Sequence, residues 1–149
     1  MTILDERLFG HWYSGPFDVG AMETSELDFL PDGRGWSRFD SISSELGIGR
    51  FHWSCPGPGL LEIRYDLRIS GTWDVGTTGF ASVDHNGPDD EVIRTGYRIG
   101  PDTPPYGDES VTTLRLDAFV EGASHFARGR RDITTDDDVS AAIVPYSAR

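Results

Sequence analysis

Six polar residues fall where the surrounding alternation turns side chains inward: Ser37, Tyr65, Thr77, Thr95, Tyr97 and Arg128. The aromatic residues Phe29, Phe39, Phe51, Trp53 and Trp73 share those predicted inner faces. Buried hydroxyls need hydrogen-bond partners. They find them in one another, as in a solid core, or in the polar end of a ligand. A mostly apolar, aromatic lining with a few directed polar groups is the usual make-up of a small-molecule pocket. On that reading the ligand contacts are Phe29, Phe39, Phe51, Trp53, Tyr65, Trp73, Thr95 and Tyr97. Tyr65, Tyr97 and Arg128 are also the candidate catalytic groups, as donors able to polarise a substrate carbonyl.

Other chemistry is harder to place. There is no Gly-x-Ser-x-Gly elbow, no P-loop and no dinucleotide fingerprint, which argues against α/β-hydrolase and nucleotide-dependent reactions. His11, His52, His85 and His125 lack metal-ligand spacing and are expected in surface or packing roles. Cys55 is the only cysteine, so neither an intramolecular disulfide nor a cysteine-based metal site forms from one chain. The oxygen-rich stretch "DHNGPDDE" (84–91) lacks EF-hand spacing and reads as a solvated turn, as does "DITTDDD". No metal and no cofactor is expected.

These groups must be positioned by strands. The 149 residues fit one domain, 1–149, and are 37% hydrophobic and 11% aromatic. Helical periodicity is confined to residues 3–9, which predict a short N-terminal turn. Thereafter short alternating runs are punctuated by Gly and Pro. Arg and Lys number 13 against 25 Asp and Glu, a formal charge of -12. Such a chain repels phosphate backbones and anionic membranes, so neither nucleic acid nor membrane is an expected partner. The charged start "MTILDERLFG" has no apolar signal-peptide core, and no run reaches the length of a membrane span. The expected compartment is the cytoplasm.

The stretch 25–40 predicts a hairpin about Pro31-Asp32-Gly33. Leu27 then faces Ser37 and Glu26 faces Arg38. Leu27, Phe29, Gly35, Ser37 and Phe39 point inward; Trp36 points outward with Asp28 and Asp40. An outward Trp36 needs cover from a helix, a loop or a second copy of the chain, which is the ground for expecting a homodimer. The next hairpin, 51–69, aligns its apolar rows through a five-residue loop at 56–60. A turn at Ser70-Gly71 is expected to pair Arg68 with Asp74 outside and Leu67 with Val75 inside, and to start a strand running from Trp73 towards Val83. A loop at 84–90, a strand at 91–99, a Pro-rich loop, and strands at 111–119 and 124–133 complete the chain. The end, "AAIVPYSAR", is expected to pack back or hang free. About eight or nine antiparallel strands in sequence order hide their edges most simply as an up-and-down barrel.

Gly10-x-Trp12 opens this meander, and Arg128 lies in its last strand. In this the chain resembles the lipocalin and calycin superfamily, whose first strand carries Gly-x-Trp and whose last carries an Arg over that Trp. The resemblance implies a lipocalin-like barrel in which Gly10, Trp12 and Arg128 are structural. It leads to three readings: a barrel binding a hydrophobic small molecule in its lumen, to carry, sequester or sense it; a cofactor-free cyclase or isomerase of polyketide-like or terpenoid substrates in the same cavity; and an acidic module docking a basic protein.

Overall fold

The computed structural model describes residues 3–18 and 21–147. Among these, nine strands follow in order: β1 (Gly10–Tyr13), β2 (Glu23–Phe29), β3 (Arg34–Ser41), β4 (Glu45–Ser54), β5 (Leu60–Thr72), β6 (Ser82–Pro88), β7 (Val92–Asp102), β8 (Val111–Val120) and β9 (Ala123–Arg128). Every pairing is antiparallel. Eight of the strands close on themselves, β1 pairing with both β2 and β9, while β6 adds a ninth strand beside β5. The chain is an all-β, closed antiparallel barrel. Its helical content among the described residues is four 3₁₀ turns, the first at Glu6–Leu8 where the N-terminal turn is predicted. No helix is long and apolar enough to cross a membrane.

The hairpin registers follow from which face each side chain needs. At the β2–β3 turn, Leu30 N–H donates to Arg34 O at 2.8 Å and Gly33 takes φ +89°. Leu27 faces Ser37 and Glu26 faces Arg38, as expected. In β4–β5, Trp53 faces Ile63 and Phe51 faces Tyr65, also as expected. A one-residue slip would have exposed the whole apolar row.

A β-bulge between Arg50 and Phe51 then shifts the ladder, so that Arg50 faces Leu67 and Gly49 faces Arg68. An extra residue re-aims the side chains beyond it. Leu67 therefore lies beside Arg50 and Tyr146 on the outer wall, and Arg68 comes over the Tyr65 ring. The expected inward Leu67 and outward Arg68 are both reversed.

The expected turn at Ser70-Gly71 is also absent. β5 runs on to Thr72, and the backbone of Ser82 packs so closely on Gly71 that only glycine fits there. β6, formed by residues 82–88, occupies the place expected for a strand from Trp73, and most of the expected loop at 84–90 is that strand. Residues 73–81 instead form a loop. Thr77 and Asp74 bond to each other within it, so Asp74 is not Arg68's partner and Thr77 is not an inner-face residue. Trp73 packs outside the barrel and donates from Nε1 to Ser41 O at 2.9 Å.

The principal core fills the lumen with Leu27, Phe29, Phe51, Trp53, Ile63 and Phe126 among others. A second core lies outside the barrel: Leu30, Trp36, Leu46 and Ile48 pack with Ile133, and Val139 lies against them. Trp36 does point outward, yet it is buried. Its cover is the chain's own C-terminal segment, which removes the ground for expecting a dimer. Arg50 anchors that strap, with its guanidinium 3.9 Å over the Tyr146 ring, 3.0 Å from Ser140 Oγ and 3.4 Å from Asp138. Thus "AAIVPYSAR" packs back as far as Ser147, and its last two residues lie outside the described ones.

One end of the barrel is sealed. Trp12 is fully buried beneath Arg128, whose guanidinium sits 4.2 Å over the ring. The indole donates to Leu8 O and Arg128 Nη2 to Arg7 O. Burial, with Arg131 nearby, lowers Arg128 to about 10. Gly10 holds φ +113°, and a Cβ there would lie 2.5 Å from Arg130 O. Trp12 and Arg128 are register partners across β1 and β9, and Gly10 starts β1 opposite Phe29.

Candidate functional site

The opposite end carries the charge. It is framed by the end of β3, the start of β4, the second half of β5 and the β8–β9 turn. That turn has two residues, Glu121 and Gly122, with φ +53° and +83°. Positive φ at both centres is the preference of short hairpin turns, but Gly or Asn usually supplies it. A glutamate held there costs about 1–2 kcal/mol, and such strain gathers at functional positions.

Glu121 faces the lumen. Its Oε1 accepts from Arg68 Nη1 at 2.6 Å, Ser37 Oγ at 3.2 Å and Tyr65 OH at 3.3 Å. Its carbonyl accepts from Ser25 Oγ at 2.6 Å. The turn is thereby tied to β2, β3 and β5 at once. Arg68 stacks 4.1 Å over Tyr65 and reaches two further carboxylates, Asp89 at 2.8 Å and Glu91 at 3.0 Å. Burial works against its charge, but Glu121 and then Asp89 outweigh that and hold Arg68 above its ordinary pKa. Burial, reinforced by Glu121, likewise pushes Tyr65 up. The Tyr65 ring fits because Gly49 opposite has no side chain.

Beside this network is a cavity of about 410 Å³, with Phe39, Ile48, Ile69 and Pro88 as apolar wall and Arg68, His85, Asp89 and Glu121 as polar wall. One guanidinium against three carboxylates leaves the site with excess negative charge. Such a mouth suits an apolar body with a cationic or hydrogen-bond-donating end.

The expected contacts divide between places. Below the mouth Phe29 packs edge to face on Trp53 and tilted on Phe51, with ring centroids 5.1 and 5.8 Å apart, and the three rings fill the lumen there. Tyr65 belongs to the mouth, and Phe39 lines its cavity. Thr95 is buried in the wall, where its hydroxyl donates to Gly96 O and accepts from Ala118 N–H. Tyr97 lies at the sealed end and donates to Asp5 at 2.6 Å, with Cys55 Sγ 3.7 Å away. Trp73 is outside. The three catalytic candidates do not meet: Tyr65 is at the mouth, while Tyr97 and Arg128 are spent on the seal. Sequence reasoning missed Glu121, Arg68 and Asp89. The one local signal was Glu121-Gly122 closing a hairpin with a residue poorly suited to it.

A second polar group lies on the outer wall. His11 Nδ1–H donates to Asp28 at 2.7 Å, and its Nε2 lies 3.5 Å from Glu26. Burial pushes the Asp28 carboxyl up to about 6 against the pull of His11, and burial also raises Glu26. Burial disfavours protonation of His11, but Asp28 outweighs it and the imidazole titrates above an ordinary histidine. Of the other histidines, His52 pairs with Asp66, His85 lines the mouth and His125 packs on Phe17.

Compared with known proteins, the chain matches no family model, no curated protein and no solved structure.

Proposed function

We propose that the chain is a lipocalin-like barrel that binds one amphipathic small molecule at its open end, apolar body along the wall of Phe39, Ile48 and Ile69 and amine or similar donor against Glu121. The observation that carries this reading is the ring of Glu121, Asp89 and Glu91 around a single Arg68, at the edge of a cavity with an apolar wall. Its volume of about 410 Å³ is in the range of small-molecule sites. The rings of Phe29, Phe51 and Trp53 form a floor, so the ligand occupies the mouth and not the full depth of the lumen. Fatty carboxylates meet repulsion there, and protonated amines meet attraction.

The test compares dodecylamine with dodecanoate by native mass spectrometry and calorimetry at low ionic strength. The expected result is binding of the amine at least tenfold tighter, weakened about tenfold in Glu121→Gln. Equal or tighter binding of dodecanoate, or no binding of either at about 1 mM, overturns the reading. Steep salt-dependent binding of a basic protein with neither lipid bound would support the acidic docking module instead.

A further inference from the structure

On the outer wall, a cavity of about 200 Å³ lies between β1–β2 and the C-terminal strap, its polar lining being His11, Glu26, Asp28, Asp137 and the guanidinium groups of Arg38 and Arg130, the first 3.9 Å from Glu26 and the second paired with Asp137. Three contacts orient the His11 imidazole. Asp28, buried, holds Nδ1 at 2.7 Å. Tyr13 stacks on one side at 5.8 Å with 6° between the planes. Gly129 packs against the ring so closely that a Cβ there would stand 2.5 Å from Cδ2. The free nitrogen, Nε2, is thereby aimed at Glu26 Oε1, 3.5 Å away. That separation is long for a hydrogen bond. It matches the edge of a tetrahedron built from Zn–N and Zn–O bonds of about 2.0–2.2 Å, which is roughly 3.3–3.6 Å.

We infer that His11 Nε2 and Glu26 form a binding site for a divalent transition-metal ion such as Zn²⁺, with Asp28 as the carboxylate that orients the histidine. The carboxylate–histidine–metal relay has this form: the second carboxylate accepts a hydrogen bond from Nδ1–H, which fixes the tautomer and leaves the Nε2 lone pair for the metal. Potential ligand atoms of His11, Glu26 and Asp28 already lie within 4.8 Å of one another. Water completes the coordination; Asp137, in the same cavity, is engaged by Arg130 at 2.8 Å and by the Thr134 N–H. With two protein ligands the site is exchangeable and not structural, so the fold does not depend on the ion. Both ligands come from neighbouring strands, β1 and β2, across a fixed register in which His11 pairs with Asp28. The site is on a different face from the mouth and stands or falls apart from the amine-binding reading.

The test is titration of the purified chain with Zn²⁺ by calorimetry, and with Co²⁺ by visible absorption. One equivalent of Zn²⁺ is expected to bind in the micromolar range, and Co²⁺ to give the intense bands of a low-symmetry four- or five-coordinate site. His11→Ala and Glu26→Gln should each weaken binding at least tenfold, and Asp28→Asn about tenfold or more. Should His11→Ala fail to fold, Glu26→Gln, at the cavity rim, decides the matter alone. Absence of Zn²⁺ binding at about 1 mM, or binding undiminished in Glu26→Gln, overturns the inference. Dodecylamine binding should be unchanged in Glu26→Gln.

Discussion

The two ends of the barrel are built on opposite principles. At the sealed end, apolar volume dominates: Trp12, Leu8, Leu27 and Phe126 are fully buried, and the cation there, Arg128, covers a ring. At the open end, charge dominates: Arg68 is partly exposed and sits among three carboxylates beside a cavity. Both ends place a guanidinium over an aromatic face, at 4.2 Å for Trp12 and 4.1 Å for Tyr65. At the seal the stack excludes water, and one guanidinium nitrogen, Arg128 Nη1, is buried without a hydrogen-bond partner among the described residues. At the mouth the stack leaves the cation free to organise acids. The same contact is structural in one place and an electrostatic fixture in the other, and the neighbours decide which.

The contrast is broken most severely from the sealed side. Trp12→Ala removes the largest group of the seal and is expected to cost about 3–5 kcal/mol, read as a fall in denaturation midpoint. Arg68→Ala should cost on the order of 1 kcal/mol, because its partners are partly exposed and solvent screens them. Added salt should recover part of that loss by damping the repulsion among Glu121, Asp89 and Glu91. If Arg68→Ala is as damaging as Trp12→Ala, the mouth is a structural core and the contrast fails. Arg128→Lys keeps the charge but loses the flat stack on Trp12, and should cost about 0.5–1 kcal/mol without salt dependence.

The smallest effect is a pH dependence at the seal. The Arg7 guanidinium, with help from the Tyr97 hydroxyl, holds Asp5 at about 2 against a partial burial that acts the other way. A carboxyl depressed in the folded state stabilises above its unfolded value, near 4, and that contribution disappears as pH falls to about 2. The difference in melting temperature between the wild type and Asp5→Asn should therefore be constant above pH 5 and close by pH 2. A difference that persists at pH 2 would mean that Asp5 acts through packing alone.

How much of this was legible in the sequence follows the range of the forces involved. The pairs Leu27–Ser37 and Trp53–Ile63 were readable because one-residue slips expose entire apolar rows. The Gly10, Trp12 and Arg128 seal was readable because it joins the two ends of a meander in the expected order. The bulge was not, since it leaves Asp66 of β5 unpaired opposite the Arg50–Phe51 step and no residue there demands it locally; the re-aimed Leu67 packs beside Tyr146, which is distant in sequence. That single shift reversed Leu67 and Arg68, and with them the character of the mouth. Glu121 was hidden for a related reason. Its partners Ser37, Tyr65 and Arg68 lie on other strands, and alternation says only that it is in a turn. Trp36 was placed on the correct face, but a covering strap drawn from the same chain leaves little periodic signal.

Closure of the barrel rests on a short seam. β1 and β9 share two register pairs, Trp12 with Arg128 and Tyr13 with Ala127, flanked by backbone bonds between His11 and residues 129 and 130. Of these nine strands, the first to leave the ribosome thus waits for the last. Until β9 is released, β1 is an unpaired edge next to a half-formed aromatic floor, and unpaired edges invite other chains. Contacts so distant in sequence also form late, since a long loop must close before they contribute. Synthesis halted even slightly short of Arg128 would yield an aggregation-prone sheet, and not a slightly weakened barrel.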